Sequence, residues 1–160
     1  MALALVAPLV VAGCDIDPPP RDDPSADQAP PPPEDSELVI AVVAALVRAR
    51  SVLEAATLAV PDLTPLLEPV ATAHTAHLGV LAGAVADADL PAPAPARIAA
   101  RRDRALAAVR RSEQRLLDEV RRGCVAAASG DLARVLASMA ASTAQHGTAL
   151  AGPQSGGEGP

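Results

Sequence analysis

The chain has 160 residues, no Phe, Tyr or Trp, and a formal net charge of −6. Its acidity is concentrated between Asp15 and Glu37, the rest of the chain is close to neutral, and every basic residue is an arginine. A near-neutral body without aromatic side chains lacks both the basic patch and the stacking surfaces that nucleic-acid binding requires. The composition therefore argues against a nucleic-acid partner.

The first fourteen residues, Met1 to Cys14, form an apolar segment with the length of a signal-peptide hydrophobic region, which is too short to span a bilayer. The segment ends in Val11-Ala12-Gly13-Cys14, which resembles the lipobox of bacterial lipoproteins. The resemblance implies that residues 1–14 are a signal peptide, that Cys14 is acylated, and that the lipid holds the protein at the extracytoplasmic face of the cell membrane. The alternative is a chance cysteine after a hydrophobic N-terminus.

Residues 15–35 are predicted to be a disordered, acidic, proline-rich tether. Prolines cluster between Pro18 and Pro33, where they remove backbone donors, and the neighbouring carboxylates repel one another. Such a segment is an extended, semi-rigid spacer, which would hold the body away from the membrane. The Gly- and Pro-rich residues 152–160 are predicted to be a disordered tail.

The body, residues 36–151, is predicted to be an all-α four-helix bundle, because apolar residues recur at helical spacing in four segments. Helix 1 is expected to begin at Asp35 or Ser36, either of which can cap it, and to end before Pro61. Its segment from Leu38 to Val47 is apolar nearly all round. That pattern indicates either burial on several sides or a partner-binding surface that seats a second copy as a homodimer.

The bounds of the other three helices are predicted from their capping residues and from the non-helical segments between them. Asp62 or Thr64 is expected to cap helix 2, helix 3 is predicted from Ala96 to Ala128, and Asp131 is expected to cap helix 4. The apolar seam of helix 3 is predicted to contain Ile98, Ala105, Leu106, Val109, Leu116, Leu117, Val120 and Cys124. The break from Asp87 to Pro95 is long enough to be a loose turn or a crossover. Helices 2 and 3 are therefore either antiparallel or parallel.

Three histidines and one glutamate interrupt the apolar seams of these helices. His74 and His77 lie on the inward side of helix 2, Glu113 lies at the centre of the seam of helix 3, and His146 lies on the seam of helix 4. Glu113 and His146 are about equally far from the turn between helices 3 and 4, so they face each other at one level. The sequence therefore predicts that these four side chains converge inside the bundle.

This arrangement resembles a degenerate ferritin-like four-helix bundle. In that family a Glu on helices 1 and 3 and a Glu-x-x-His motif on helices 2 and 4 project inward and hold two irons. The corresponding positions here are His74-Thr75-Ala76-His77, Glu113 and Thr143-Ala144-Gln145-His146. His74 and Thr143 replace the two motif glutamates, so the resemblance implies the bundle fold but not oxygen-activating di-iron chemistry.

Two alternatives remain for the four inward side chains. The first is a single-metal site that suits zinc, copper or iron, with ligands His74, His77, Glu113 and His146. The second is a cluster of neutral histidines without a metal cofactor, hydrogen-bonded to Glu113 and to Thr72, Thr75 or Thr143.

The function expected from the sequence is that of a non-enzymatic lipoprotein, attached to the lipid bilayer through acylated Cys14 and acting on another envelope protein. No phosphate-binding loop or nucleophile elbow occurs in the chain, and no catalytic residue is predicted. The alternative function is metal binding by a ferritin-like bundle. Cys124 is interpreted as a small core residue, and a Cys14–Cys124 disulfide in an unlipidated form is the rival interpretation.

Overall fold

The computed structural model describes residues 33–84 and 93–152, and within these ranges it contains helices and no β-strand. The four helices are α1 (Pro33–Ala59), α2 (Thr64–Ala82), α3 (Arg102–Ala126) and α4 (Gly130–Ala151), with a 3-10 turn at Pro61–Leu63 before α2. The all-α, four-helix prediction is confirmed. The predicted signal peptide, Cys14 and nearly all of the tether lie outside the described residues, as do residues 85–92 and 153–160.

The packing order of the helices places α2 and α3 on one diagonal of the bundle. Helix α1 packs against α2 and α3, and helix α4 packs against α3 and α2. Arg102, at the start of α3, donates a hydrogen bond to the carbonyl of Asp62, just before the start of α2. Because α2 and α3 begin at the same end, they run parallel, and their connection crosses the roughly 28 Å length of α2. The open question between loose turn and crossover is resolved in favour of the crossover.

Apolar side chains form two separate clusters along the bundle. One cluster, at the end with the α3–α4 turn, includes Val42, Leu46, Leu116 and Leu136. The other, at the end with the α1–α2 turn, includes Leu53, Leu63, Leu67, Val109 and Leu150. On every helix the boundary between the clusters falls near the middle, and on α2, α3 and α4 it coincides with the histidines and Glu113. On α1 the boundary lies between Ala49 and Leu53.

The apolar segment of α1 from Leu38 to Val47 is covered by the rest of the bundle. Val39, Val42, Val43 and Leu46 are each at most 3 % exposed, and Leu38, Ile40 and Val47 are partly buried against the same cluster. Burial on several sides thus explains the pattern. The homodimer stays a prediction, but this face of α1 is already occupied by the chain's own core.

The start of α1 differs from the expected cap. The helix begins at Pro33, since proline is tolerated in a first helical turn. Asp35 therefore lies inside the helix, where it is 1 % exposed. Its carboxylate accepts hydrogen bonds from the backbone N–H groups of Ala128 and Ser129, both at 2.9 Å. Asp35 thus joins the start of α1 to the α3–α4 turn and does not cap its own helix.

The residues that cap α2 and α4 also differ from those expected from the sequence. Neither Asp62 nor Thr64 caps α2: Leu63 occupies the cap position without a side-chain hydrogen bond, and the Thr64 hydroxyl donates to the carbonyl of Pro61. The cap of α4 is Ser129, whose hydroxyl oxygen accepts from the N–H of Leu132 at 3.3 Å. Asp131 is exposed and pairs with Arg134.

Helix α3 begins at Arg102, six residues after the expected start at Ala96. The described residues before it, 93–101, are not helical, and Pro93 and Pro95 at their start lack the backbone N–H that a helix uses. Ile98 therefore does not belong to the seam of α3. It is still partly buried against the cluster that contains Val109, so the apolar residue was correctly placed in the core but in the wrong element.

Candidate functional site

The interior polar layer, formed by His74, His77, Glu113 and His146, lies between the two apolar clusters. Helix α2 supplies the two histidines one turn apart, α3 supplies Glu113, and α4 supplies His146. His74 is 1 % exposed and Glu113 is 2 % exposed, while His77 and His146 are partly buried. Each side chain occupies a position where the helical period would otherwise place a leucine. The helical geometry thus holds four ionisable groups inside the protein.

The best-defined contact of this layer joins His74 to Glu113. The Nε2 atom of His74 lies 3.2 Å from Oε2 of Glu113, so an imidazole N–H at this position donates to the carboxylate. A carboxylate this deeply buried costs free energy unless it is hydrogen-bonded or paired. The contact therefore offsets part of the cost of burying Glu113, and it fixes the rotation of the His74 ring.

Four buried polar atoms of the layer have no hydrogen-bond partner among residues 33–84 and 93–152. They are His74 Nδ1, His77 Nδ1, Glu113 Oε1 and His146 Nδ1. A buried polar atom without a partner costs about 1–3 kcal/mol, so an arrangement that leaves four of them together is unusual. The layer therefore has unused capacity to bind a proton, a water molecule or a metal ion.

The threonine hydroxyls that the sequence offered as partners are engaged elsewhere. Thr75 donates to the carbonyl of Ala71 at 3.0 Å, and Thr143 donates to the carbonyl of Met139 at 2.9 Å. Thr72 is exposed. The hydrogen-bonded cluster expected from the sequence is thus correct for the His74–Glu113 pair and wrong for the threonines.

The pKa of His77 depends on its burial and on the other three side chains of the layer. Burial lowers the pKa of His77 below its usual 6.5, the charges of His74 and His146 lower it further, and Glu113 opposes them by raising it. His77 therefore favours the neutral imidazole, which is the form that coordinates metal ions. The charges of His74, His146 and Glu113 all affect His77, and His74 contacts Glu113 directly, whereas the convergence of all four side chains stays a prediction.

The side chains are not arranged around a preformed metal position. Among residues 33–84 and 93–152, no group of three or more His, Cys, Asp or Glu side chains has the geometry to hold a metal ion. One reason is that Oε2 of Glu113 faces the His74 ring. Metal coordination by this layer requires the carboxylate and the rings to turn, and the metal site stays a prediction.

A recess of about 380 Å³ between α3 and α4 reaches the layer from the surface. Glu113 and Thr143 line it together with residues of the outer turns, among them Gln114, Gly147 and Thr148. The recess does not follow from the apolar seams of the sequence. Its signal is the run of small residues at helical spacing on α4, Ala144, Gly147 and Ala151, which leaves the face of that helix beside α3 thinly covered.

Two side chains outside the layer make defined contacts. Arg50 and Glu54 form an ion pair on the surface of α1, with 2.9 Å between Nε and Oε1. Cys124 is partly buried, and its thiol donates to the carbonyl of Ala133 at 3.3 Å. The thiol thus acts as the small packing group expected from its place on α3.

Comparison with protein-family models, with curated proteins and with solved structures gives no match. No helix in the described part of the chain is long and apolar enough to cross a membrane. The described fold and the candidate site together define an all-α protein whose four helices enclose a histidine-rich polar layer.

Proposed function

We propose that this chain is a lipid-anchored protein of the extracytoplasmic face of the cell membrane, with a non-enzymatic function. Support for the anchor is the sequence Val11-Ala12-Gly13-Cys14 followed directly by an acidic, proline-rich segment. Acylated Cys14 binds the bilayer, residues 15–32, which precede α1, act as the spacer, and the helical body contacts another envelope protein.

The position of the ionisable residues supports a non-enzymatic role for the body. His74 and Glu113 are almost fully buried, and the recess that Glu113 lines is bounded by two packed helices. A macromolecular substrate has no access to these groups, whereas catalysis by acids and bases requires hydrogen-bond contact with the reacting group. The layer therefore serves to bind a small species or to shape the core.

Intact-mass analysis of the full-length chain from the membrane fraction of a bacterial host tests the anchor. We expect the signal peptide to be removed and residue 14 to carry a diacylglyceryl group. The Cys14→Ser variant should lose both the modification and the membrane association, and the Cys124→Ser variant, as a matched control, should keep both. An unmodified Cys14, or a Cys14–Cys124 disulfide, would contradict the proposal.

A second candidate function is metal binding by a ferritin-like bundle, favoured by the four unpartnered atoms of the interior polar layer. Imidazole nitrogens with one carboxylate suit zinc, copper or iron in their divalent states. The connection from α2 to α3 adds support, because ferritin-like bundles have one long crossover connection. Neutral His77 is ready to coordinate without first losing a proton.

Metal content separates the two candidate functions. The full-length chain should contain stoichiometric metal by elemental analysis after purification, and one ion of zinc, copper or iron should raise its melting temperature, because a ligand that binds only the folded state stabilises it. The His146→Leu variant removes one proposed ligand that makes no protein hydrogen bond through Nδ1, and it should lose the response. A flat melting temperature for all three ions would eliminate this candidate.

A further inference from the structure

A cleft between α1 and α3, which we call the α1–α3 cleft, has a volume of about 470 Å³. Small-molecule sites typically have volumes of about 300–1,000 Å³. The non-helical segment before α3 forms the third wall of the cleft, through residues such as Pro93. Four of the side chains that line the cleft are hydrogen-bond donors without a partner among residues 33–84 and 93–152: Arg48, Ser51, Ser112 and Arg115.

The two arginines lie at about the same level of the bundle, one on each helix. Asp35, at the start of α1, accepts from the N–H of Ala128, two residues after the end of α3, so the two helices are antiparallel. Arg48 and Arg115 are each thirteen residues from this contact. Because each helical residue rises by about 1.5 Å, equal counts along antiparallel helices give nearly equal heights. The cleft therefore holds two guanidinium groups on facing walls.

The two serines form a second level, one helical turn from the arginines. Ser51 and Ser112 are each three residues from the arginine of their own helix, and residues three apart share a helix face. Ser112 is only 6 % exposed, yet its hydroxyl has no partner in the described part of the chain. Its oxygen is not one of the enclosed atoms without a partner, so it stays open to the cleft. A buried hydroxyl is normally hydrogen-bonded, and a ligand in the cleft would supply the missing acceptor.

The charges of the two arginines are not neutralised by a neighbouring side chain. Neither Arg48 nor Arg115 forms an ion pair with the described residues, whereas Arg50, two residues from Arg48, pairs with Glu54. Like charges at one level of a cleft repel each other. An anion between them removes this repulsion and accepts charge-assisted hydrogen bonds, which are stronger than neutral ones.

Two carboxylates also line the cleft, but each accepts a hydrogen bond from another side chain. Glu119 accepts from Arg122 at 2.6 Å. Asp118 accepts from the amide of Gln114 at 3.0 Å. Both acids follow Arg115 in the direction of the end of α3, which is away from the two serines. An anion held between the arginines and the serines therefore lies on the side of the cleft away from the two acids.

We propose that the α1–α3 cleft binds a phosphate monoester group, carried by a small molecule or by a lipid headgroup. Guanidinium groups bind phosphate oxygens through paired N–H donors, and Ser51 and Ser112 supply two hydroxyl donors. A phosphate monoester carries a charge of about −1.5 to −2 at neutral pH, which matches the two charges of Arg48 and Arg115, whereas a carboxylate neutralises only one of them. The site is independent of the interior polar layer and of the membrane anchor.

Isothermal titration calorimetry with inorganic phosphate and glycerol phosphate as probes tests the site. The full-length Cys14→Ser chain is the parent protein, because it has no lipid on residue 14 and needs no detergent. Arg48→Gln and Arg115→Gln each remove one charge from the cleft. The matched controls are Arg50→Gln on α1 and Arg121→Gln on α3, which remove the same charge from the same helices at positions that do not line the cleft.

We expect the parent chain to bind glycerol phosphate and each cleft arginine variant to bind it about tenfold more weakly, equivalent to about 1.4 kcal/mol. Ser112→Ala should weaken binding about threefold and leave the melting temperature of the free chain unchanged, because no hydrogen bond within the described chain is lost. Both control variants should bind like the parent. Equal weakening by all four arginine variants would show attraction by net charge alone and overturn the proposal, as would a parent chain that binds neither probe.

A second titration separates the two sources of the phosphate group. Dihexanoyl phosphatidic acid is a soluble lipid with a phosphate monoester, and dihexanoyl phosphatidylcholine is the matched lipid without one. Tighter binding of the phosphatidic acid than of glycerol phosphate assigns the cleft to a lipid headgroup, and equal or weaker binding assigns it to a small phosphorylated molecule. Equal binding of the two lipids would show that their acyl chains are recognised and would contradict a phosphate site.

Discussion

The imidazole of His74 and the carboxylate of Glu113 meet at 3.2 Å in the centre of the bundle, and neither residue is more than 2 % exposed. The two residues belong to α2 and α3, which pack mainly on α1 and α4 and lie across the diagonal from each other. The pair is therefore a direct link through the middle of the fold. It is also the point at which the two apolar clusters are separated.

This relationship gives the first prediction, which concerns His74→Leu. The substitution leaves Glu113 with both oxygens unpartnered in the interior, and removing one member of a buried pair costs about 3–5 kcal/mol. We expect a loss of about 3 kcal/mol in the free energy of unfolding at pH 7, measured by urea denaturation. Adding Glu113→Leu should restore most of it, because two well-packed leucines replace the pair. Equal stability of the single and double variants would show that the pair does not couple α2 to α3.

The second prediction is a loss of stability in acid that depends on His77. Its pKa is lowered in the folded protein by burial and by His74 and His146, against the opposing effect of Glu113. The unfolded chain therefore binds a proton at a higher pH than the folded chain does. As the pH falls below 6.5, the unfolded state gains protons first and stability declines, by at most about 1.4 kcal/mol per pH unit for this one group. Below the folded-state pKa the decline ends.

Urea denaturation of the metal-free chain between pH 8 and pH 5 measures this effect. The His77→Leu variant should show a shallower decline, because the group whose pKa is lowered is gone. Asp103 provides a contrast, since its pKa is lowered by a side-chain hydrogen bond from Arg101 but it is exposed and titrates at much lower pH. An unchanged slope in His77→Leu would contradict the role assigned to this histidine.

The helical pattern in the sequence was sufficient to predict the inward residues but not their hydrogen bonds. Helical spacing dictates which side chains share a face, so the convergence of His74, His77, Glu113 and His146 follows from the seams. The partner of each ring depends on rotamers, which the sequence does not specify. For this reason the sequence offers the Thr75 and Thr143 hydroxyls as possible partners of the histidines, whereas they donate to carbonyls four residues earlier.

Local sequence patterns predict neither the role of Asp35 nor the residue at which α3 begins. Asp35 accepts from backbone groups more than ninety residues away, and backbone donors leave no trace in the residue types. Ile98 lies in a non-helical segment that packs on the core. A single apolar residue has no periodicity, so it cannot distinguish a helix from a non-helical segment that packs in the same place. The crossover was likewise undetermined, because its length permits both connections.

The third prediction follows from the position of Asp35. The Asp35→Ala variant removes the charged acceptor of two hydrogen bonds that the partly buried backbone N–H groups of Ala128 and Ser129 donate. Hydrogen bonds to charged groups contribute about 1.5–3 kcal/mol each, so we expect a loss of about 3 kcal/mol in the free energy of unfolding. The matched control is Glu37→Ala, which removes an exposed acid from the same part of α1 and should change stability by less than about 0.5 kcal/mol. Similar losses for both variants would indicate a general effect of charge near the helix start.

The fourth prediction compares two glycines inside helices, Gly79 on α2 and Gly123 on α3. Alanine is favoured over glycine in a helix interior by about 0.5–1 kcal/mol. A Cβ at Gly79 meets nothing within 4 Å, whereas one at Gly123 lies 3.3 Å from Leu136 Cδ1 and from Val42 Cγ2. Gly79→Ala should therefore stabilise the protein by about 0.5–1 kcal/mol.

Gly123→Ala brings the same gain in helix propensity but forces the side chains of α1 and α4 away from α3 in a fully packed cluster. Overpacking costs about 1–3 kcal/mol, so this variant should be less stable than Gly79→Ala by about 1–2 kcal/mol, and Gly123→Val should be less stable still. Thermal and urea denaturation of the three variants measure these differences in the free energy of unfolding. If Gly123→Ala is as stable as Gly79→Ala, then α1 and α4 can move apart at this level without loss, and the close approach of the three helices is not what holds this end of the bundle together.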